Sequence, residues 1–183
     1  MATWIIDTDH SVVRFSIWHF KIANVINLFS RMTGIIQFDP PDIDHLSIEV
    51  AIEVQSLTTS HQMRDEHLFS PNYFDIEKFP KIIYRSIKVE HNGGNYRKMA
   101  GELTMHGTTR PVTLEVEIYG PVKSQFTGKS CIGFIGRTKI NLEDYGIKWS
   151  KAMEGISYVM GKGVQINFDI EAILTNNLRI IKK

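Results

Sequence analysis

Apolar and polar residues take turns along most of this chain. In LSIEVAIEVQS, Leu46, Ile48, Val50, Ile52 and Val54 alternate with Ser47, Glu49, Ala51, Glu53 and Gln55. A period of two sends each set to one face of a β-strand, one buried and one wet. VTLEVEIYG repeats the pattern with Val112, Leu114, Val116 and Ile118 on one side. VQINFDIEAIL repeats it with Val164, Ile166, Phe168 and Ile170. The opening WIIDTDHSVVRFSIWH reads as two strand pieces around an Asp-Thr-Asp turn. Val13, Phe15, Ile17 and His19 share one face of the second piece, and Val12, Arg14, Ser16 and Trp18 the other. FSRMTGIIQF, KIIYRSIKVE, YRKMAGELTM and CIGFIGRTKINL are further strands, the last lightened by glycines that permit bending. His91-Asn92-Gly93-Gly94 and the segment opening at His106-Gly107 supply turns. Residues 20–28 fit either an irregular connection or a turn of helix. Residues 121–128 and 143–163 read as loops, and NNLRIIKK as a frayed tail.

One long break interrupts the alternation, SLTTSHQMRDEHLFSPNYFDIEKFP from Ser56 to Pro80. Ser and Thr offer helix starts, a run without Gly or Pro follows, and Ser70-Pro71 stops it. An apolar knot of Tyr73, Phe74, Ile76 and Phe79 comes next. The stretch predicts a short helix and a compact turn set against one end of a β-structure.

About eight strands, mostly hairpin-connected and each with one apolar face, satisfy two architectures. They can form a sandwich or a sheet closed on itself. Closure removes exposed edges, and eight strands leave an interior that side chains fill or one small ligand occupies. The pattern does not choose between them. No repeat or linker divides the 183 residues, so residues 1–183 are expected to form a single domain.

A formal net charge of +1 provides no long-range pull on nucleic acid or an acidic membrane surface. The single cysteine, Cys131, excludes an internal disulfide and any Cys-x-x-Cys site. The N-terminal residues lack the basic flank and apolar core of a signal peptide, and no apolar run approaches the ~20 residues of a membrane helix. The expected setting is cytoplasmic, without a transmembrane segment.

Among the seven histidines, His61 and His67 lie six apart, not at the spacing of a helical metal pair. His10, His19 and His67 with Asp65 make the candidate metal or proton-transfer group, set against the plainer reading that each histidine bonds a turn or strand end. Arg64-Asp65 reads as a latch holding the helix on the sheet. Gly161-x-Gly163 lacks a dinucleotide fingerprint, and no Gly-x-Ser-x-Gly elbow occurs. No cofactor is expected. If all strands share one inside, Phe15, Ile17, Ile48, Val50, Ile52, Tyr84, Leu114, Val116, Phe134 and Phe168 face it. His19, Ser56 and Tyr84 are then the candidate polar groups of a pocket.

The chain also resembles the YceI-like, polyisoprenoid-binding proteins over nearly its whole length. The resemblance rests on Trp4-x-Ile6-Asp7, Asp9-His10-Ser11, Phe15-x-Ile17-x-His19 and Ser56 with Thr58. It continues through Arg64-Asp65-x-His67-Leu68, Tyr73-Phe74-Asp75, Phe79-Pro80, Gly101-x-Leu103-Thr104-x-His106-Gly107 and Asp144-Tyr145-Gly146-Ile147. Two places depart from it. Asn27-Leu28-Phe29 stands where the family usually has Gly-x-Phe. Asn141-Leu142-Glu143, with Arg137 further back, stands where an Arg is usual. The resemblance implies an all-β, lipocalin-like antiparallel barrel whose interior holds a long apolar molecule such as an isoprenoid or fatty amide. It also implies a homodimer, and a carrier or store instead of an enzyme.

Overall fold

In a computed structural model, the structure describes residues 1–17, 23–147 and 163–175 in full, and the backbone of Trp18 and His19. Strand β1 (Thr3–His19) is followed by β2 (Ala23–Phe29), β3 (Met32–Asp39), β4 (Asp42–Glu53) and the two-residue β5 (Leu57–Thr58). After helix α1 (Gln62–Phe69) come β6 (Lys81–His91), β7 (Tyr96–Met105), β8 (Thr108–Lys123), β9 (Ser130–Asn141) and β10 (Gly163–Thr175). Neighbours pair antiparallel, and β10 pairs back onto β1. Eight strands, β1, β3, β4 and β6 to β10, thereby close a barrel with one short helix. The choice that alternation left open falls to the barrel.

Two sequence expectations need correction. Residues 23–29 form β2, neither an irregular connection nor a turn of helix. They pair with the second half of β1, while β3 pairs with its first half. The opening is also one strand, not two. Asp7 pairs with Glu171 and Val12 with Asp169, so residues 8–11 face Ile170 alone and form a bulge. The Ser11 hydroxyl carries the ladder across it, accepting from the Glu171 N–H at 3.1 Å and bonding the Glu171 carbonyl at 3.3 Å. A further difference is that β8 runs on through Pro121 to Lys123, into the stretch expected as loop. The expectations for residues 148–162 and for the tail 176–183 lie outside the described residues.

Alternation sets the two faces. Leu46, Val50, Val54, Val116, Ile118, Phe134, Val164 and Phe168 are buried. On the outside, Glu49 lies opposite Arg85 and Glu115 opposite Arg137, each pair bonded across its ladder. A slip of one residue would turn these charges inward, so the charge pattern and the apolar pattern specify the same register.

The 56–80 stretch docks against one end of the barrel. Helix α1 is capped by His61, whose side chain accepts from the Arg64 N–H, where Ser or Thr had been expected. Asp65 accepts from the Thr58 hydroxyl and from both the N–H and hydroxyl of Thr59, while the Arg64 guanidinium donates to the Thr59 hydroxyl and carbonyl. The two charges thus act as a latch through a shared threonine. Beyond the helix, the Phe79 ring lies over His106-Gly107, the two-residue turn joining β7 to β8. Both turn residues have positive φ, 51° and 73°, the backbone that a two-residue hairpin requires. A Cβ on Gly107 would stand 2.7 Å from the Phe79 ring.

Candidate functional site: an apolar cavity in the barrel

The inward faces bound an apolar cavity of about 110 Å³. Side chains from β1, β2, β3, β4 and β6 to β10 contribute to its wall. Phe74, from the compact turn after α1, joins the wall and meets the Phe29 ring edge-on, with centroids 6.2 Å apart.

Among the described residues only two wall side chains, Tyr84 and Thr138, carry a nitrogen or oxygen. Both hydroxyls are committed to backbone. Tyr84 donates to the Met99 carbonyl at 2.9 Å, and Thr138 to the Thr113 carbonyl at 2.9 Å. Burial pushes the Tyr84 hydroxyl far above its ordinary titration range, so it stays protonated. Two glycines make room for aromatic rings. A Cβ on Gly101 would stand 2.5 Å from the Tyr84 hydroxyl, and one on Gly136 2.3 Å from the end of the Phe168 ring. Among the described residues the interior therefore offers dispersion contacts and the hydrophobic effect, with the proton of each wall hydroxyl already given to a backbone carbonyl.

Nine of the sequence-derived positions meet in this wall: Phe15, Ile48, Val50, Ile52, Tyr84, Leu114, Val116, Phe134 and Phe168. Three do not. Ile17 is buried on the inner face but stands outside the cavity wall. Ser56 stands outside the cavity wall: its hydroxyl donates to the Glu53 carbonyl and accepts from the Arg31 N–H, stapling a 3-10 turn to the residue before β3. The side chain of His19 lies outside the described residues. The wall also contains Phe29, Phe74, Met99, Leu103, Thr138 and Leu142, which the sequence did not single out.

The candidate histidine group is not assembled among the described residues. The His67 ring packs edge-on against Tyr73, and Asp65 serves the latch. His10 instead meets Asp7 and Glu171 on the barrel's outside, with potential ligand atoms all within 4.8 Å of one another. Its Nδ1 stands 3.0 Å from Asp7 Oδ2, a hydrogen bond that raises the His10 pKa and lowers that of Asp7. Cys131 is buried nearby, and desolvation followed by the Glu171 contact pushes its thiol pKa up. A neutral buried thiol is a poor nucleophile. No helix among the described residues is long and apolar enough to cross a membrane.

A closed eight-stranded antiparallel barrel around an apolar cavity defines a lipocalin-like barrel protein. The profile of the YceI-like domain matches residues 4–172, and the chain belongs to that family. Similar proteins include UPF0312 proteins of Vibrio cholerae and Vibrio parahaemolyticus, 30% and 31% identical over 160 residues, each covering 86% of this chain and 82% of the relative. Among solved structures, the YceI protein of Campylobacter jejuni superposes with a TM-score of 0.74 at 30% identity, covering 86% of this chain and 90% of that one. A polyisoprenoid binding domain from Saccharophagus degradans shares the fold, with a TM-score of 0.72 at 12% identity over 96% of this chain and all of that one.

Proposed function

We propose that this protein binds a long apolar small molecule, of isoprenoid or fatty-chain type, inside its barrel and acts as a carrier, store or sequestering protein. The observation that carries the reading is the commitment of both wall hydroxyls, Tyr84 and Thr138, to backbone carbonyls, which leaves a cavity lined by hydrocarbon, aromatic and thioether surface. Such a space is filled favourably by a chain of similar character, each buried methylene contributing about 0.8 kcal/mol. The polyisoprenoid binding domain of Saccharophagus degradans, alike in fold, supports the same class of occupant. The homodimer that the family resemblance implies belongs to this proposal, and analytical ultracentrifugation tests it.

Native mass spectrometry of the protein purified without detergent tests the binding. The expected spectrum contains a lipid-sized added mass that organic extraction removes. An extracted protein that takes up neither an isoprenoid alcohol nor a fatty chain on re-incubation would end the proposal.

A further inference from the structure

Asn27 is 5% exposed and stands on β2 between Val25 and Phe29, directly across the ladder from Phe15. Side chains two apart on a strand, and side chains directly opposite, share a face. Asn27 therefore belongs to the inner face; like Ile17 it is not itself part of the cavity wall, but it adjoins Phe15 and Phe29, whose rings lie 5.5 Å apart and which both are. Its Nδ2 donates to the Val25 carbonyl at 3.3 Å, whereas its buried Oδ1 has no hydrogen-bond partner among the described residues. Turning the amide over would set Oδ1 against the Val25 carbonyl, acceptor against acceptor, so the position left open is an acceptor. A buried acceptor without a donor is destabilising, and the hydroxyls of the cavity wall avoid that condition.

We propose that Asn27 is the polar anchor at the β1–β2 end of the cavity, and that it selects an apolar chain ending in a neutral hydrogen-bond donor, a hydroxyl or a primary amide. The inference rests on the apolar-chain reading above and adds the headgroup. A hydroxyl or amide N–H completes the open acceptor. A carboxylate or phosphate, ionised at neutral pH, offers only acceptors and would lose its hydration in dry surroundings.

Four probes with the same saturated chain test it at neutral pH by competition against a fluorescent fatty reporter: the primary alcohol, the primary amide, the carboxylate and the methyl ester. The alcohol and amide are expected to bind about tenfold tighter than the ester, with the carboxylate weakest. Asn27→Leu, similar in shape and without polar atoms, is expected to keep the affinity for the ester and bring the alcohol and amide down to it. Equal affinities for all four probes, a carboxylate that matches the alcohol, or a preference surviving in N27L would each overturn the assignment while leaving the carrier reading standing. Failure of every probe to bind would remove the carrier reading and this inference with it. Should N27L not fold, the order of the four probes on the unaltered protein decides.

Discussion

The Tyr84 hydroxyl reaches across the missing side chain of Gly101 to the carbonyl of Met99, 2.9 Å away. A tyrosine facing an apolar cavity normally suggests a ligand's hydrogen-bond partner, but here the bond is spent inside the wall. Tyr84→Phe is therefore expected to leave affinity for an apolar probe unchanged or slightly higher. It should lower stability by about 1–3 kcal/mol, the cost of stranding a buried partner. Urea unfolding and probe titration on the same preparation check both. A tenfold loss of affinity without loss of stability would assign Tyr84 to the ligand instead.

Gly136 lies opposite Phe168 on β9 and β10, and the ring occupies the space a side chain would take. Gly136→Val is expected to push the ring into the cavity, lowering both stability, by about 1–3 kcal/mol, and probe uptake. Thermal unfolding and probe titration measure the two losses. Phe168→Ala in the same background should restore uptake without restoring stability, because it removes the obstruction but adds no packing.

The Asp7–His10 pair gives stability a pH window. The His10 pKa is raised above its ordinary 6.5 by the Asp7 hydrogen bond and charge, with Glu171 and Asp9 adding to the field. That contribution is complete below 6.5 and fades as pH rises through the raised value. The Asp7 pKa is lowered from 3.8 by the same hydrogen bond, so its contribution is complete above 3.8 and fades as pH falls through the lowered value. The difference in melting temperature between the wild type and His10→Gln is expected to be largest between these limits and to shrink on either side. A difference independent of pH would show that the pair does not titrate as described.

Cys131 should react slowly with a thiol reagent in the folded protein. Its side chain is buried and its thiol pKa is raised, which removes thiolate as well as access. Labelling at pH 8 is expected to be at least about tenfold slower than in denaturant. Equal rates would place the thiol at the surface.

The inner faces of β4, β8 and β10 were legible in the sequence, because a period of two leaves little freedom once one face must be dry. The bulge in β1 was not, since Asp-Thr-Asp followed by His-Ser looks like a turn until the Ser11 hydroxyl is found carrying the ladder. Strand β2 escaped for a related reason: Asn27 puts a polar residue on the inner side and breaks the alternation that reveals the others. A polar residue near a strand end such as Ser56 resembles a pocket group, and only the backbone geometry shows its hydroxyl bonded to Arg31 and Glu53. Phe74 reaches the wall from a turn, where no periodicity marks which way a ring will point.

That last ring has a wider consequence. Phe74 belongs to the wall but to none of the paired strands, so no strand pairing depends on the identity of residue 74. Exchanges at residue 74 are therefore expected to reshape the space inside while every rung between the staves stays in place.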